Sequence, residues 1–271
     1  MDLFSEINEL MVKHRFRPNK KTGQNFIICE EIITKMLEEA ALSPKDKVLE
    51  IGAGTGFLTR EMLKVCKVMA IEVDDLLADL LEKELPKKNL ELIRGNFLET
   101  KVTGINKVVS LPPYTISSPI MYKLFELKPK LCVFVFQKEF VERFSAEPGF
   151  MDYNALSVLT QYYFKTKTIS KVASNCFFPQ PNTESCIVKL TAWNQNGTVK
   201  NEKAFHAFIK SIFRFQNKNL LNAVKNSAQF LKEEFADFEK TIELIKKNKL
   251  SSTKVNLISC KEFVKLFNTI I

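Results

Sequence analysis

Val48-Leu49-Glu50-Ile51-Gly52-Ala53-Gly54-Thr55-Gly56-Phe57-Leu58-Thr59 is the stretch whose reading decides the fold. The apolar run Val48 to Ile51 is too short for a helix and meets glycines at once, so it reads as a buried parallel strand. Gly52, Gly54 and Gly56 predict a tight turn in which a Cβ would keep a ligand off the backbone. Beyond them Leu58, Met62 and Leu63 recur at helical spacing. Strand, glycine turn and helix together are the layout of a nucleotide-binding βα unit. A turn made tight only for packing would look the same, so the neighbouring segments have to decide.

Lys67-Val68-Met69-Ala70-Ile71-Glu72-Val73-Asp74 supplies a second short apolar strand. It places Glu72 roughly 20 residues past the glycine turn, the distance expected of a ribose-binding acid. A carboxylate there accepts hydrogen bonds from ribose hydroxyls and repels a 2′-phosphate. Glu50 stands two residues before Gly52, giving Glu-x-Gly-x-Gly-x-Gly. That spacing resembles the first motif of class I methyltransferases, whose ligand is S-adenosylmethionine, more than a dinucleotide fingerprint.

The 271 residues leave room for one large domain and a small one, and 45% hydrophobic content is ample for a core. A net charge of +9 favours a polyanionic partner. The six cysteines lie far apart without a C-x-x-C, and several fall in apolar strand patterns. They read as reduced core residues, not as a metal site or disulfide framework. With His14 and His206 as the only histidines, a His-based metal site or triad is not expected. No apolar run reaches the length of a membrane span and the N-terminus lacks a signal-peptide core, so a cytoplasmic protein is expected.

Residues 1–12 predict a short amphipathic helix, followed by a basic arm of Lys13, His14, Arg15, Arg17, Lys20 and Lys21. Gln24 and Asn25 in the next stretch suit hydrogen bonding to a polar ligand tail. Further strands are expected at 90–94, 107–111 and 131–136, alternating with helices at 30–41, 75–85 and 116–126. This alternation predicts a mostly parallel sheet covered on both faces, with the strand exits gathered on the edge where open α/β sheets bind ligands. A helix at 155–165 and two later strands follow, around 167–173 and 185–190. After the polar linker Asn194 to Thr198, only helical periodicity remains, with Lys210, Arg214, Lys218 and Lys225 on exposed positions. The expected division is residues 1–193 and a helical domain at 198–271.

Leu111-Pro112-Pro113-Tyr114 closes the fourth strand at the ligand edge. Prolines enforce an extended exit and leave carbonyls as acceptors. An aromatic ring beside bare carbonyls suits a flat base with an exocyclic amine: the ring stacks and the carbonyls accept the amine hydrogens. An adenine N6 lone pair is delocalised into the ring, so methyl transfer to it depends on alignment and charge placement. Phe177 and Phe178, flanked by Pro179 and Pro181, offer a second aromatic wall for a base drawn out of its stack.

These motifs resemble the rRNA adenine N6-dimethyltransferase family. Lys20 to Ile27 is similar to its N-terminal motif, Val48 to Thr59 to its glycine motif, and Ile71-Glu72-Val73-Asp74 to its acidic strand end. Gln137 to Arg143, Ile116 to Pro119, and Phe177 with Pro179 and Pro181 also fit. The resemblance implies a Rossmann-like class I methyltransferase with a seven-stranded sheet and a C-terminal helical domain. It implies S-adenosylmethionine bound by Gln24, Asn25, Ile27, Glu50, Gly52, Gly54, Gly56, Glu72, Asn96, Phe97 and Leu111. Leu111, Pro112, Tyr114 and Phe177 would form the catalytic set, with Tyr114 and Phe177 on either side of the target adenine. The implied activity is N6-dimethylation of adjacent adenosines near the 3′ end of small-subunit rRNA, by a monomer acting on the pre-ribosomal small subunit.

Three departures stand out. Leu111 replaces the asparagine of the family's Asn-Leu-Pro-Tyr/Phe, removing a side-chain acceptor for the target amine. Asn96 replaces the aspartate of Gly-Asp-Ala, and Phe215-Gln216-Asn217-Lys218 replaces Q-R-R-K. They keep open a second reading, a ribosome-assembly factor of the same fold that holds rRNA without methylating it. A methylase of large-subunit rRNA is a third.

Overall fold

The computed structural model describes residues 2–19, 23–193 and 197–271, so Lys20, Lys21 and the 194–196 part of the polar linker lie outside the described residues. Helix α1 (Leu3–His14) starts at Asp2, whose carboxylate accepts from the Ser5 N–H. It continues through Lys13 and His14, both of which meet Glu84. The expected basic arm therefore begins later, because these two residues complete the last helical turn and have a carboxylate to pair with. Phe16 then turns inward and packs edge to face on Phe26, ring centroids 6.1 Å apart.

Strand β1 (Phe26–Ile27), helix α2 (Glu30–Ala40), strand β2 (Lys47–Ile51), helix α3 (Phe57–Leu63), strand β3 (Lys67–Glu72), helix α4 (Asp75–Glu84) and strand β4 (Leu90–Arg94) follow in order. Next come β5 (Lys107–Ser110), α5 (Ser117–Leu127), β6 (Leu131–Gln137) and α6 (Lys138–Glu142). After α7 (Ala155–Tyr163) come β7 (Phe164–Val172), β8 (Phe177–Phe178) and β9 (Ser185–Ala192). Seven of these strands form one sheet in the order β4-β3-β2-β5-β6-β9-β7. The first five are parallel and β9 runs antiparallel to β6. Strands β2, β5 and β6 are buried nearly end to end, as expected where helices cover both faces.

The sheet reverses its winding between β2 and β5. β2 pairs with β3 over five residues, but with β5 only at Val48↔Lys107 and Leu49↔Val108. Beyond that register Ser110 takes over: its hydroxyl accepts from Ile51 N at 3.3 Å and donates to Ile51 O at 2.7 Å. The parted strand ends form the crevice in which ligands of doubly wound sheets bind.

A feature not expected from the sequence is a separate two-stranded antiparallel ribbon, Phe26↔Phe178 and Ile27↔Phe177. It fastens the N-terminal segment to the Phe177-Phe178 turn.

The chain divides into two compact units. One contains the residues up to Val141 together with Thr166–Ala192; the other comprises Glu142–Lys165 and Trp193–Ile271. The segment 142–165, placed with the first domain from sequence, thus packs in the second. There α7 packs on α8 (Glu202–Ile212) and α12 (Cys260–Ile270), and α9 (Leu220–Asn226), α10 (Ala228–Leu231) and α11 (Phe238–Lys247) pack on these in turn. Tyr153 donates its hydroxyl to Ile258 O at 2.7 Å, and the Tyr162 ring lies 5.2 Å from Phe205. Lys210, Arg214, Lys218 and Lys225 are exposed as expected, and Arg214 stacks over Phe230. Among the described residues no helix is long and apolar enough to cross a membrane. All six cysteines are free thiols, four buried and two, Cys29 and Cys176, half-buried.

Candidate active site

A cavity opens at the carboxyl ends of β2, β3, β4 and β5. It is lined by the segment Gly23 to Ile27, the glycine turn, Glu72, Gly95 to Phe97, Leu111 to Tyr114, and Phe177. Of the residues expected to bind cofactor or form the catalytic set, all but Gly56 line this cavity, whereas of the two phenylalanines of the second aromatic wall Phe177 does and Phe178 does not. Gly56 precedes α3 at φ +79°, where an added Cβ would lie 2.8 Å from Leu81 Cδ2. Its role is to let α3 sit against α4, not to approach a ligand.

The other two glycines line the cavity, yet their smallness also serves the protein's own packing. A Cβ on Gly52 would meet Pro113 Cδ at 3.2 Å, and one on Gly54 the Phe26 ring at 3.1 Å. Gly52 N already donates to Ile71 O at 2.8 Å, which leaves its carbonyl as the main-chain group for a ligand.

Glu72, 4% exposed, is held by three main-chain donors: Gly54 N at 2.8 Å and Val73 N and Asp74 N at 3.0 Å each. Gly54 bonds one oxygen and the other two share the second, so one lone pair of the first remains for a ribose hydroxyl. Burial raises the Glu72 carboxyl above the usual range, and the three N–H groups pull it back down. Asp74, two residues on, caps α4 with one oxygen and accepts from Gln24 Nε2 at 3.0 Å with the other.

Gln24 is thereby committed at both ends, since its oxygen accepts from Asn19 N at 2.8 Å. It lines the wall and braces the N-terminal segment, with one lone pair and one N–H of its amide already engaged. Asn25 turns its amide nitrogen back onto Gly23 O, and Ile27 is fixed by pairing with Phe177.

Asn96 spends its oxygen on Leu98 N at 3.0 Å and its nitrogen on Glu99 at 2.9 Å, so only a second lone pair on the oxygen is left for an incoming amine. Phe97, 2% exposed, forms the floor beside it. Sequence reasoning missed the brace behind this loop. Lys123 on α5 donates to Phe97 O and, at 2.6 Å, to Thr100 O, with its ammonium 4.6 Å from the Phe97 ring centroid. Thr59 was missed likewise: fully buried on α3, it donates its hydroxyl to Glu50 at 2.5 Å.

In the proline turn, Pro113 O accepts from Ile116 N at 3.2 Å. Only the Pro112 carbonyl keeps the acceptor role expected of both, for no described N–H donates to it. Tyr114 presents its ring to the cavity while its hydroxyl meets Ser185 at 2.7 Å. Burial raises its phenol, which stays neutral. Leu111 lines the cavity and packs on the apolar core. Phe177 is only 2% exposed and is paired with Ile27 in the two-stranded ribbon.

A family model described as ribosomal RNA adenine dimethylase matches residues 15–270. The chain belongs to that family. It is 36% identical over 224 residues to a probable ribosomal RNA small subunit methyltransferase A of Thermococcus gammatolerans, covering 82% of this chain and 79% of that protein. To the ribosomal RNA small subunit methyltransferase A of Clostridium botulinum it is 37% identical over 229 residues, 80% and 83% of the two chains. The crystal structure of a dimethyladenosine transferase from Plasmodium falciparum matches with a TM-score of 0.73 at 26% identity, over 89% of this chain and 95% of that one.

As a ribosomal RNA adenine dimethylase the protein is a class I methyltransferase that uses S-adenosylmethionine. The cavity suits that cofactor chemically. It carries two buried acids, Glu50 and Glu72, and among the described residues no lining Lys, Arg or His, so it favours a ligand bearing positive charge. The cofactor supplies a methyl group on a sulfonium.

Proposed function

We propose that the protein dimethylates N6 of adjacent adenosines near the 3′ end of small-subunit rRNA, acting as a monomer on the pre-ribosomal small subunit in the cytoplasm. The observation that carries this reading is the Pro112 carbonyl and the Tyr114 ring opening onto the cavity that also holds Glu72. Glu72 binds the cofactor ribose, with the Gly52 carbonyl and the Asn25 segment lining its methionine end. Asn96 and Phe97 receive its adenine.

Tyr114 stacks on the target base, with Phe177 behind it as the second wall. The Pro112 carbonyl accepts one hydrogen of the target amine and turns its lone pair toward the incoming methyl. The rest of the barrier is lowered by alignment, since a sulfonium donor needs no strong base. With Leu111 in place of an amide, the second amine hydrogen lacks a side-chain acceptor. The enzyme is therefore slower than an asparagine-bearing relative, though not inert. Exposed Lys210, Arg214, Lys218 and Lys225 of the helical unit serve phosphate contacts.

Incubation with tritiated S-adenosylmethionine and unmodified small subunits tests the proposal directly. Label at two neighbouring adenines of the 3′ end is the expected result. Measurable cofactor affinity without any incorporation would favour the non-catalytic assembly factor.

A further inference from the structure

The two acids of the cavity are not equivalent. Glu72 accepts from three N–H groups, which oppose the rise that burial imposes on its carboxyl. Glu50, 2% exposed at the end of β2, receives one hydroxyl bond, from Thr59, and no other described group donates to it. The remaining charged and titratable groups near it are accounted for. Asp74 is spent on Leu76 N, Leu77 N and Gln24, the Tyr114 phenol on Ser185, and among the described residues no cation lines the cavity. A lone carboxylate so placed, facing a second carboxylate across apolar walls, is the group that takes up a proton.

We propose that Glu50 carries a proton until a cation enters the cavity and surrenders it to solvent when S-adenosylmethionine binds, so that cofactor binding and deprotonation of Glu50 are one linked event. The inference rests on the assignment of the cavity to that cofactor. Its balance is simple: the neutral carboxyl and the cationic ligand become a carboxylate–cation pair plus one released proton. No bond to carbon changes. Thr59 is the positioning residue, fixing one Glu50 oxygen and leaving the other toward the cavity.

Burial pushes Glu50 up to about 8, with Glu72 adding to the rise and the Thr59 hydroxyl opposing it. Below that pH the carboxyl is protonated in the absence of ligand. A cation stabilises the ionised form, so affinity climbs with pH, by close to tenfold per unit at most, and levels off above about 8.

Calorimetric titration of the full chain with S-adenosylmethionine in phosphate and in Tris buffer, at pH 7 and again at pH 9, reads the proton directly. The difference in heats between the unaltered chain and Glu50→Gln should show a proton release by Glu50 that is close to complete at pH 7 and small at pH 9, as for a group near 8. Because the ligand's own α-ammonium also titrates in this range, Glu50→Gln is the baseline: at pH 7 it should release close to one proton fewer than the unaltered chain, and its affinity should lose the part of the pH dependence that Glu50 supplies. Binding heats at pH 7 whose buffer dependence is the same in the unaltered chain and in Glu50→Gln would overturn the proposal. So would a release that persists in Glu50→Gln but disappears in Glu72→Gln. The absence of any binding heat would strike the cofactor assignment itself, and is distinguishable from both.

Discussion

Lys123→Met tests the brace behind the cofactor loop. The ammonium donates to two carbonyls of the loop and sits against the Phe97 ring. Hydrogen bonds to a charged group are each worth roughly 1.5–3 kcal/mol, and an exposed cation–π contact about 0.5–1 kcal/mol. Two terms reduce the loss. Burial lowers the Lys123 ammonium, so solvation is regained when the charge is removed, and water reaches the freed carbonyls. A net loosening of about 2 kcal/mol remains, and Asn96 still ties the loop through Leu98 N and Thr100 N. If the adenine end of the cofactor binds only to the closed loop, the apparent Kd should rise between about threefold and thirtyfold. Lys123→Arg, which keeps charge and donors, should recover most of it. Fluorescence or calorimetric titration gives the Kd, and a thermal melt gives stability. A lower Tm with the Kd unchanged within about twofold would refute the link from brace to base pocket.

Other substitutions probe the remaining parts. Glu72→Ala strips the acceptor from Gly54 N, Val73 N and Asp74 N, and should raise the cofactor Kd by at least about tenfold; an unmoved Kd would mean the ribose assignment is wrong. Leu111→Asn restores a side-chain acceptor and should raise turnover by about tenfold or more at unchanged cofactor affinity, whereas equal turnover would show that the Pro112 carbonyl suffices. Gly56→Ala places a Cβ 2.8 Å from Leu81 Cδ2 at φ +79°. It should cost about 2–4 kcal/mol in denaturant unfolding. A loss below about 0.5 kcal/mol would show that neither the left-handed φ nor the Leu81 and Leu85 methyls oppose a Cβ there.

The parallel sheet and its glycine turn were legible because both are local patterns. Val48–Ile51 and Lys67–Glu72 are short apolar runs with turn residues at their ends, and nothing distant is needed to interpret them. The β1–β8 ribbon was not legible, because two residues per strand carry no period. Lys123 and Thr59 escaped for a related reason. A lysine or threonine within a helical pattern reads as a solvated or neutral position, and only the folded chain shows which carbonyl or carboxyl stands opposite. Gly56 misled in the other direction. Its spacing matches a ligand-facing glycine, but the neighbour that needs the space is Leu81, 25 positions further on.

The helical unit draws its core from two stretches separated by the strands β7 to β9. Tyr153 and Tyr162 precede those strands, and their partners Ile258 and Phe205 follow them. A ribosome making this protein has therefore released both tyrosines long before their partners exist, and the bundle is finished only once α12 has been made. Cutting the gene after the last strand would not yield an independent tail: residues 193–271 alone would carry an open aromatic socket where α7 belongs.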